Sequence, residues 1–195
     1  MKKCVFRKID YNSGDGMLTS VWGPNLWHVL HMISFNYPIN PTKEDKKNYM
    51  RFIRDLRYVL PCKYCRDNLN GNLRKLKFTM KSMKNRDTFS RFVYKLHNHV
   101  NKMLGKNNTV TFEEIRDRYE HFRARCLEKK NVTKKKQKGG KRKKKTKRKM
   151  KGGKKEKGCT KSLYGVKSMS VINIIPKRKG VRTLKIDPKC KYKRV

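Results

Sequence analysis

Apolar residues in the first 128 positions recur at the spacing of a helix, and no segment there alternates with the period of two that marks a strand. Pro, Gly and Asn separate the helical stretches. The residues that carry the pattern are Trp27, Leu30, His31 and Ser34; Tyr49, Phe52, Ile53, Leu56 and Leu60; Phe89, Phe92, Val93, Leu96, Val100 and Met103; and Phe112, Ile115, Tyr119, Phe122 and Cys126. With a short helix that begins at Cys62, the pattern predicts an all-α fold, a four-helix bundle plus a short fifth helix.

Breaker residues predict where these helices end. The first is expected to stop at Tyr37-Pro38, and the second runs up to Pro61. The third stops near Asn70-Gly71, and Gly105 closes the fourth. These ends make the predicted helices short, so the bundle that they form is small.

The chain carries a net charge of +41, and most of it lies in the last third. Residues 1–128 hold 26 Lys and Arg against 12 Asp and Glu, whereas residues 129–195 hold 29 against 2. Charge repulsion and glycine entropy predict that the Lys/Gly-rich run is disordered. The sequence thus divides into an N-terminal arm at 1–17, a helical domain at 18–128, a disordered linker at 129–158 and a basic segment at 159–195, in which residues 170–175 and 181–186 are short β-prone runs.

The basic run predicts binding to a polyanion, because Lys and Arg release condensed counterions when they meet phosphate groups. Nucleic acid or another acidic surface is the expected partner, although nothing in the run can read base edges. Two other interpretations stay open at this point: a solubilising tail without a dedicated ligand, and a nuclear-localisation signal.

No stretch of the sequence approaches the roughly 18 apolar residues of a membrane span, and the N-terminus lacks the apolar run of a secretion signal. We therefore expect a protein that does not span a membrane and is cytoplasmic. Four of the six cysteines are scattered, which argues against a dense disulfide framework. These four are Cys4, Cys126, Cys159 and Cys190.

Cys62 and Cys65 are separated by two residues and flanked by Pro61, Lys63 and Arg66. A cysteine in the first turn of a helix faces unpaired N–H groups and the positive end of the helix dipole, which lowers its pKa. One helical turn brings the two sulfurs close enough to cycle between dithiol and disulfide. The pair is therefore predicted to be redox-active.

Three other interpretations of the pair remain. A zinc site needs four ligands, and the nearest histidines, His97 and His99, do not have the usual spacing. A thioredoxin-like domain needs strands around the motif, whereas both flanks have helical periodicity. Two inert, reduced core cysteines are also possible.

Two helix faces carry an aromatic or imidazole ring together with a polar group. His97 and Asn101 lie four residues apart, and so do Trp27 and His31, so each pair shares one face of its helix. Such faces, in a bundle that also holds a redox dithiol, suit a planar redox cofactor between helices. Ordinary core packing is the competing explanation for each residue taken singly.

Four motifs in order carry a resemblance to a known family. They are WGPNLWHVLH at residues 22–31, NYP at 36–38, LPCKYC at 60–65 and LHNHVNKMLGK at 96–106. Over residues 18–126 the chain resembles the FAD-dependent Erv/ALR sulfhydryl oxidases, most closely the forms of large cytoplasmic DNA viruses. The resemblance implies a helical FAD-binding homodimer that oxidises dithiol proteins and passes electrons to molecular oxygen, giving hydrogen peroxide, in the host cytoplasm or virion.

The resemblance also implies roles for particular residues. Trp27 and His31 would contact the flavin, Tyr37 would line the site, and the adenine-ribose-phosphate end would be held by His97, Asn101 and Lys106. No metal is expected. Substrate would attack Cys62, the sulfur expected to be more exposed, and Cys65 would lie against the flavin.

Two departures from the family pattern stand out. Pro24 occupies a position where many members have Arg, and Cys126 lacks the partner of a second, structural disulfide because that position falls near Thr109 or Val110. The scattered cysteines are candidates for relaying electrons between subunits. A nucleic-acid-binding or packaging protein on a non-catalytic bundle is the alternative function.

Overall fold

A computed structural model of the chain describes residues 7–106, 109–125, 159, 161–163, 167–176 and 184–187. The helices in these ranges are α1 (Lys8–Tyr11), α2 (Thr19–Phe35), α3 (Lys43–Val59), α4 (Lys63–Lys75), α5 (Arg86–Met103) and α6 (Phe112–Glu120), with a 3-10 turn at Met80–Met83. The only strands found in the same ranges are the antiparallel pair Ala124–Arg125 and Lys161–Ser162. The predicted all-α fold, with four long helices and a short fifth, is confirmed.

The described residues fall into two compact units. Residues up to 120, together with 172–176 and 184–185, form the helical unit, and the strand pair belongs to the second. In the second unit the Leu163 N–H also donates to the Arg123 carbonyl oxygen at 2.8 Å. The site described below lies entirely in the helical unit.

Local capping explains where two of the long helices begin. The Thr42 hydroxyl accepts from the Asp45 N–H at the start of α3, and the Asp45 carboxylate accepts from the Thr42 N–H. At the start of α5, Asn85 and Thr88 make the same reciprocal pair. Each capping box satisfies backbone donors that a helix N-terminus leaves unpaired.

One apolar core lies between the long helices. α2 packs mainly against α5, and α3 packs mainly against α4, while α6 covers part of α2. Burying one such apolar side chain contributes about 1.5–3 kcal/mol. The core residues are Leu30, Tyr37, Met50, Ile53, Leu56, Leu60, Leu69, Leu73, Phe78, Met83, Phe89, Phe92, Val93 and Leu96.

Two helix lengths differ from the prediction. α4 continues through Gly71 to Lys75, because Leu69 and Leu73 on its inner face are buried in the core and outweigh the unfavourable glycine. α6 ends at Glu120 instead of continuing to Cys126, and the chain turns into the strand pair. Cys126 itself lies outside the described residues.

The predicted strand at residues 170–175 is wrong. These residues have neither helix nor strand, and Val171 and Ile174 are exposed. β-branched side chains favour a strand only when partner strands cover them. In the second run, residues 184–186 are also irregular, and 181–183 lie outside the described residues, as do the linker at 129–158 and most of the basic segment.

Cys159 takes part in a disulfide, and its partner lies outside the described residues. Among the described residues, no helix is both long and apolar enough to cross a membrane.

Candidate active site

Cys62 and Cys65 lie at the start of α4, as the sequence predicts. Cys62 is the N-cap residue, with an extended backbone at φ −160° and ψ 120°, and its Sγ accepts a hydrogen bond from the Cys65 N–H at 3.2 Å. An N–H group at a helix N-terminus stabilises negative charge on the atom that it faces. Both cysteines are free, so the structure shows the pair as a reduced dithiol.

The two cysteines have different surroundings. Burial raises the pKa of the Cys65 thiol to about 12, and its hydrogen bond with Cys62 adds to the shift, so Cys65 keeps its proton at neutral pH. The lowered pKa expected for a helix start therefore does not extend to Cys65. Cys62 is only 9% exposed, whereas Cys65 is half-buried, so the predicted order of exposure is reversed. The physical reason is that residues 15–17 pair with the backbone on both sides of Cys62.

The two predicted ring-bearing faces meet between α2 and α5. The Trp27 indole stacks on the His97 imidazole, with ring centroids 4.2 Å apart and an interplanar angle of 8°. His31 Nε2 lies 3.1 Å from His97 Nδ1. Because one of these nitrogens must donate and the other accept, the two rings have fixed, complementary tautomers.

Both of these histidines are neutral at pH 7. Burial, with a smaller contribution from the neighbouring His97, lowers the pKa of His31 to about 3. Burial likewise lowers the pKa of His97 to about 4, with a second contribution from the Lys106 charge. Neutral imidazoles act as hydrogen-bonding groups of a ligand site and add no charge to it.

Asn101 and Lys106 are held together by the end of α5. The Lys106 N–H donates to the Asn101 carbonyl oxygen at 2.9 Å, and Gly105, at φ +64°, makes the left-handed turn between them. This is a Schellman end, as the glycine predicts. The exposed Lys106 lies close enough to His97 for its positive charge to lower the pKa of that ring.

Two further residues join the cluster that the sequence did not assign to it. The Tyr119 ring of α6 stacks on His31 with centroids 5.1 Å apart, and its hydroxyl lies 3.2 Å from His28 Nδ1. Burial raises the pKa of Tyr119 to about 12 and lowers that of His28, so both groups are uncharged at pH 7. Two signals were available: the position of His28 inside the motif WHVLH and that of Tyr119 in the apolar pattern of its helix.

Tyr37 lies elsewhere. Its side chain is fully buried, its hydroxyl donates to the Met83 carbonyl oxygen at 3.1 Å, and its ring contacts are with Tyr49 and Phe89. These contacts place Tyr37 in the core, and its predicted contact with the cofactor stays a prediction.

The ring cluster fits a planar, polar cofactor. His31 Nδ1 is buried and has no hydrogen-bond partner among the described residues. It can therefore form a hydrogen bond with a polar group of a bound ligand. Trp27 and His97 supply ring surface, and Lys106 supplies positive charge for a phosphate. Cys65 of the redox pair and Trp27 of the ring cluster both pack against the apolar core of the helical unit.

A metal centre has no support in the described ranges, where no group of three or more His, Cys, Asp or Glu side chains could hold a metal ion.

The family model for the Erv1 / Alr family matches residues 24–120. Over these residues the helical domain is similar to the Erv1/Alr family. The match covers most of α2 and all of α3 to α6, and thus the redox pair, the stacked rings and Tyr119. The resemblance predicted from the four motifs is confirmed.

Two viral relatives and one solved structure illustrate the similarity. A probable FAD-linked sulfhydryl oxidase of Acanthamoeba polyphaga mimivirus is 39% identical over 93 residues, which cover 48% of this chain and 64% of the relative. An FAD-linked sulfhydryl oxidase of African swine fever virus is 28% identical over 107 residues, which cover 55% of this chain and 87% of the relative. The crystal structure of the yeast Erv1 core has a TM-score of 0.48 at 23% identity and covers 61% of this chain and 93% of that one. The chain thus spans less than two thirds of the mimivirus relative.

Proposed function

We propose that this chain is an FAD-linked sulfhydryl oxidase that forms disulfides in dithiol proteins. One observation carries the proposal: a free dithiol caps a helix that packs on the same core as the stacked Trp27 and His97 rings. Relatives in two viruses bear the name of this activity. The buried His31 Nδ1 without a hydrogen-bond partner among the described residues supports a ligand site in the same helical unit.

The residues of the chain have distinct tasks in this proposal. A substrate thiolate attacks the Cys62–Cys65 disulfide and forms a mixed disulfide; the second substrate thiolate then breaks it, so the substrate is oxidised and the pair is reduced by two electrons. Trp27, His31 and His97 would hold the cofactor ring, and Asn101 and Lys106 its phosphate-bearing end. FAD, when bound, supplies the two-electron acceptor that oxygen can reoxidise.

The neutral histidines favour this role. Because His31 and His97 carry no charge at pH 7, they can hydrogen-bond a cofactor ring without shifting its redox balance by a full positive charge. Tyr119 covers His31 from α6 and excludes water from that side. The protein's part is therefore to position the cofactor beside a dithiol and to keep solvent away.

Purified protein tests the proposal directly. We expect a yellow protein that consumes oxygen and produces peroxide in the presence of a dithiol. Cys65→Ser should retain the flavin absorbance and lose oxygen consumption. A colourless protein without oxygen consumption contradicts the proposal, and so does full activity of Cys65→Ser.

The same variants identify the sulfur that substrate attacks. If Cys62 is attacked, as the sequence predicts, glutathione disulfide should convert Cys62 of Cys65→Ser to a mixed disulfide, with one glutathione released as thiol, whereas Cys65 of Cys62→Ser should form none. The opposite outcome assigns the attack to the more exposed Cys65.

Several finer features stay predictions. A homodimer, oxygen as the final acceptor, a location in the host cytoplasm or virion, and binding of the basic tail to nucleic acid rest on the resemblance or on composition alone. Light scattering, a peroxide assay, fractionation and DNA titration test them separately.

A further inference from the structure

A short segment upstream of α2 pairs with the backbone around Cys62. We call residues 13–17 the strap. The Met17 N–H donates to the Pro61 carbonyl oxygen at 2.8 Å, and the Lys63 N–H donates to the Asp15 carbonyl oxygen at 2.8 Å. These two bonds lie on either side of Cys62 and pair it antiparallel with Gly16. The family match begins at residue 24, so the strap lies outside it.

Side chains fasten both ends of the strap. The Arg66 guanidinium donates to the Gly14 carbonyl oxygen at 3.1 Å and to the Leu60 carbonyl oxygen at 2.7 Å, so it joins the strap to the chain just before the cysteine motif. At the other end, the Trp22 indole N–H donates to the Met17 carbonyl oxygen at 3.1 Å. The strap is therefore held to α2 and to α4 by independent contacts.

Gly16 is the residue on which this pairing depends. Its φ of +106° is a conformation that side-chain-bearing residues rarely adopt, and a Cβ there would lie 2.6 Å from the Pro61 carbonyl oxygen and 2.9 Å from Cys62 Cα. Both neighbours are backbone atoms, which cannot turn aside. Gly14 differs, because a Cβ at that position would have no atom within 4 Å.

The pairing determines how Cys62 faces the helix. With the Lys63 N–H bound to the strap, Cys62 is fixed in its extended conformation, and its Sγ receives the Cys65 N–H. A hydrogen bond to the sulfur of a thiol or thiolate is stronger than one to the less polar sulfur of a disulfide, so this bond stabilises the reduced pair. A dithiol whose reduced form is stabilised has a higher reduction potential.

We propose that the strap, through Gly16, is a positioning element that holds Cys62 as the cap of α4 and thereby raises the reduction potential of the Cys62–Cys65 pair. The inference rests on the proposed function only in taking the pair to be redox-active. Without the strap, Cys62 is free to leave the cap, the reduced pair loses its stabilising hydrogen bond, and the disulfide forms more readily.

Anaerobic equilibration of the full chain, as purified, with glutathione buffers tests the proposal. Two glutathione molecules leave as thiols when glutathione disulfide oxidises the pair, so electrons and protons balance. The fraction of Cys62–Cys65 disulfide is read by alkylation and mass spectrometry. We expect Gly16→Ala to raise the equilibrium constant for disulfide formation by about tenfold, which corresponds to a potential about 30 mV more negative.

The matched control is Gly14→Ala, for which we expect an equilibrium constant within about twofold of the wild type. Met17→Pro is a second variant, because it deletes the donor of one strap bond without adding a group beside Cys62; it decides the question if Gly16→Ala does not fold. Far-UV circular dichroism confirms that each variant is folded. An unchanged equilibrium constant in a folded strap variant overturns the proposal, and so does an equal change in Gly14→Ala.

This measurement is separate from the test of the proposed function. It needs neither oxygen nor turnover, so a chain that fails to oxidise dithiols with oxygen still gives a readable potential. Conversely, an active oxidase with strap-independent potential leaves the function intact and removes only the role of the strap.

Discussion

The buried histidine pair predicts that stability falls steeply between pH 7 and pH 5. In the unfolded chain His31 and His97 protonate near their ordinary pKa of 6.5, whereas in the folded chain their pKa values are about 3 and about 4. Below pH 6.5 the unfolded state therefore binds more protons, so the free energy of unfolding decreases as pH falls. The contribution is fully present above pH 6.5 and is lost progressively towards the folded pKa values.

The size of the effect at pH 5 follows from the unfolded state alone. At that pH both folded histidines are still neutral, while an unfolded histidine is almost fully protonated, which is worth about 2 kcal/mol for each residue. The pair thus costs about 4 kcal/mol between pH 8 and pH 5, a large share of the roughly 5–15 kcal/mol that stabilises an ordinary domain.

Urea unfolding of the flavin-free protein at a series of pH values between 8 and 5 measures this change. His97→Gln should remove about half of the decrease, and the His31→Gln/His97→Gln double variant should remove most of it. His99→Gln is the matched control, since His99 lies on the same helix but hydrogen-bonds to Asn72 of α4. A free energy that is flat over this range in the wild type refutes the reasoning, as does a double variant with the full decrease.

Two further predictions concern a helix cap and the basic tail. Thr42→Ala should lower the free energy of unfolding by about 1 kcal/mol, because it removes the capping hydroxyl of α3. Thr79→Ala removes no side-chain cap and should change this free energy little. Equal effects of the two variants in chemical denaturation would contradict the prediction. Truncation after residue 128 should abolish salt-sensitive DNA binding in a fluorescence titration while flavin content and oxygen consumption persist; undiminished binding would mean that the tail has no such role.

Local chemistry made much of the fold predictable. Pro61 and Gly105 end helices where the sequence places the ends, and the cysteine pair opens α4. Each of these features acts within one turn of the chain, so its effect does not depend on what packs against it. Gly71 shows the limit, because its neighbours Leu69 and Leu73 are buried by other helices and hold α4 together past the glycine.

The contacts of the site that the sequence did not predict join residues that are far apart in the chain. Periodicity places Tyr119 on the inner face of its helix, but the partner that it meets, His28, lies 91 residues away. The strap is also non-local, since a bridge between Gly16 and Cys62 has no signature in a short glycine-containing segment. For Tyr37 a motif position implied a contact with the cofactor, whereas the described contacts of its side chain lie in the core.

The same burial that weakens the flavin-free domain in acid should make cofactor binding pH-dependent. Protonation of His31 or His97 would place a charge in a site where burial disfavours it, so the state that binds the cofactor is the neutral one. A ligand at 100 times its dissociation constant stabilises the folded state by about 2.7 kcal/mol, which is less than the cost of about 4 kcal/mol assigned to the pair at pH 5. Bound flavin at that concentration therefore offsets only part of the loss, and release of flavin on acidification should accompany unfolding.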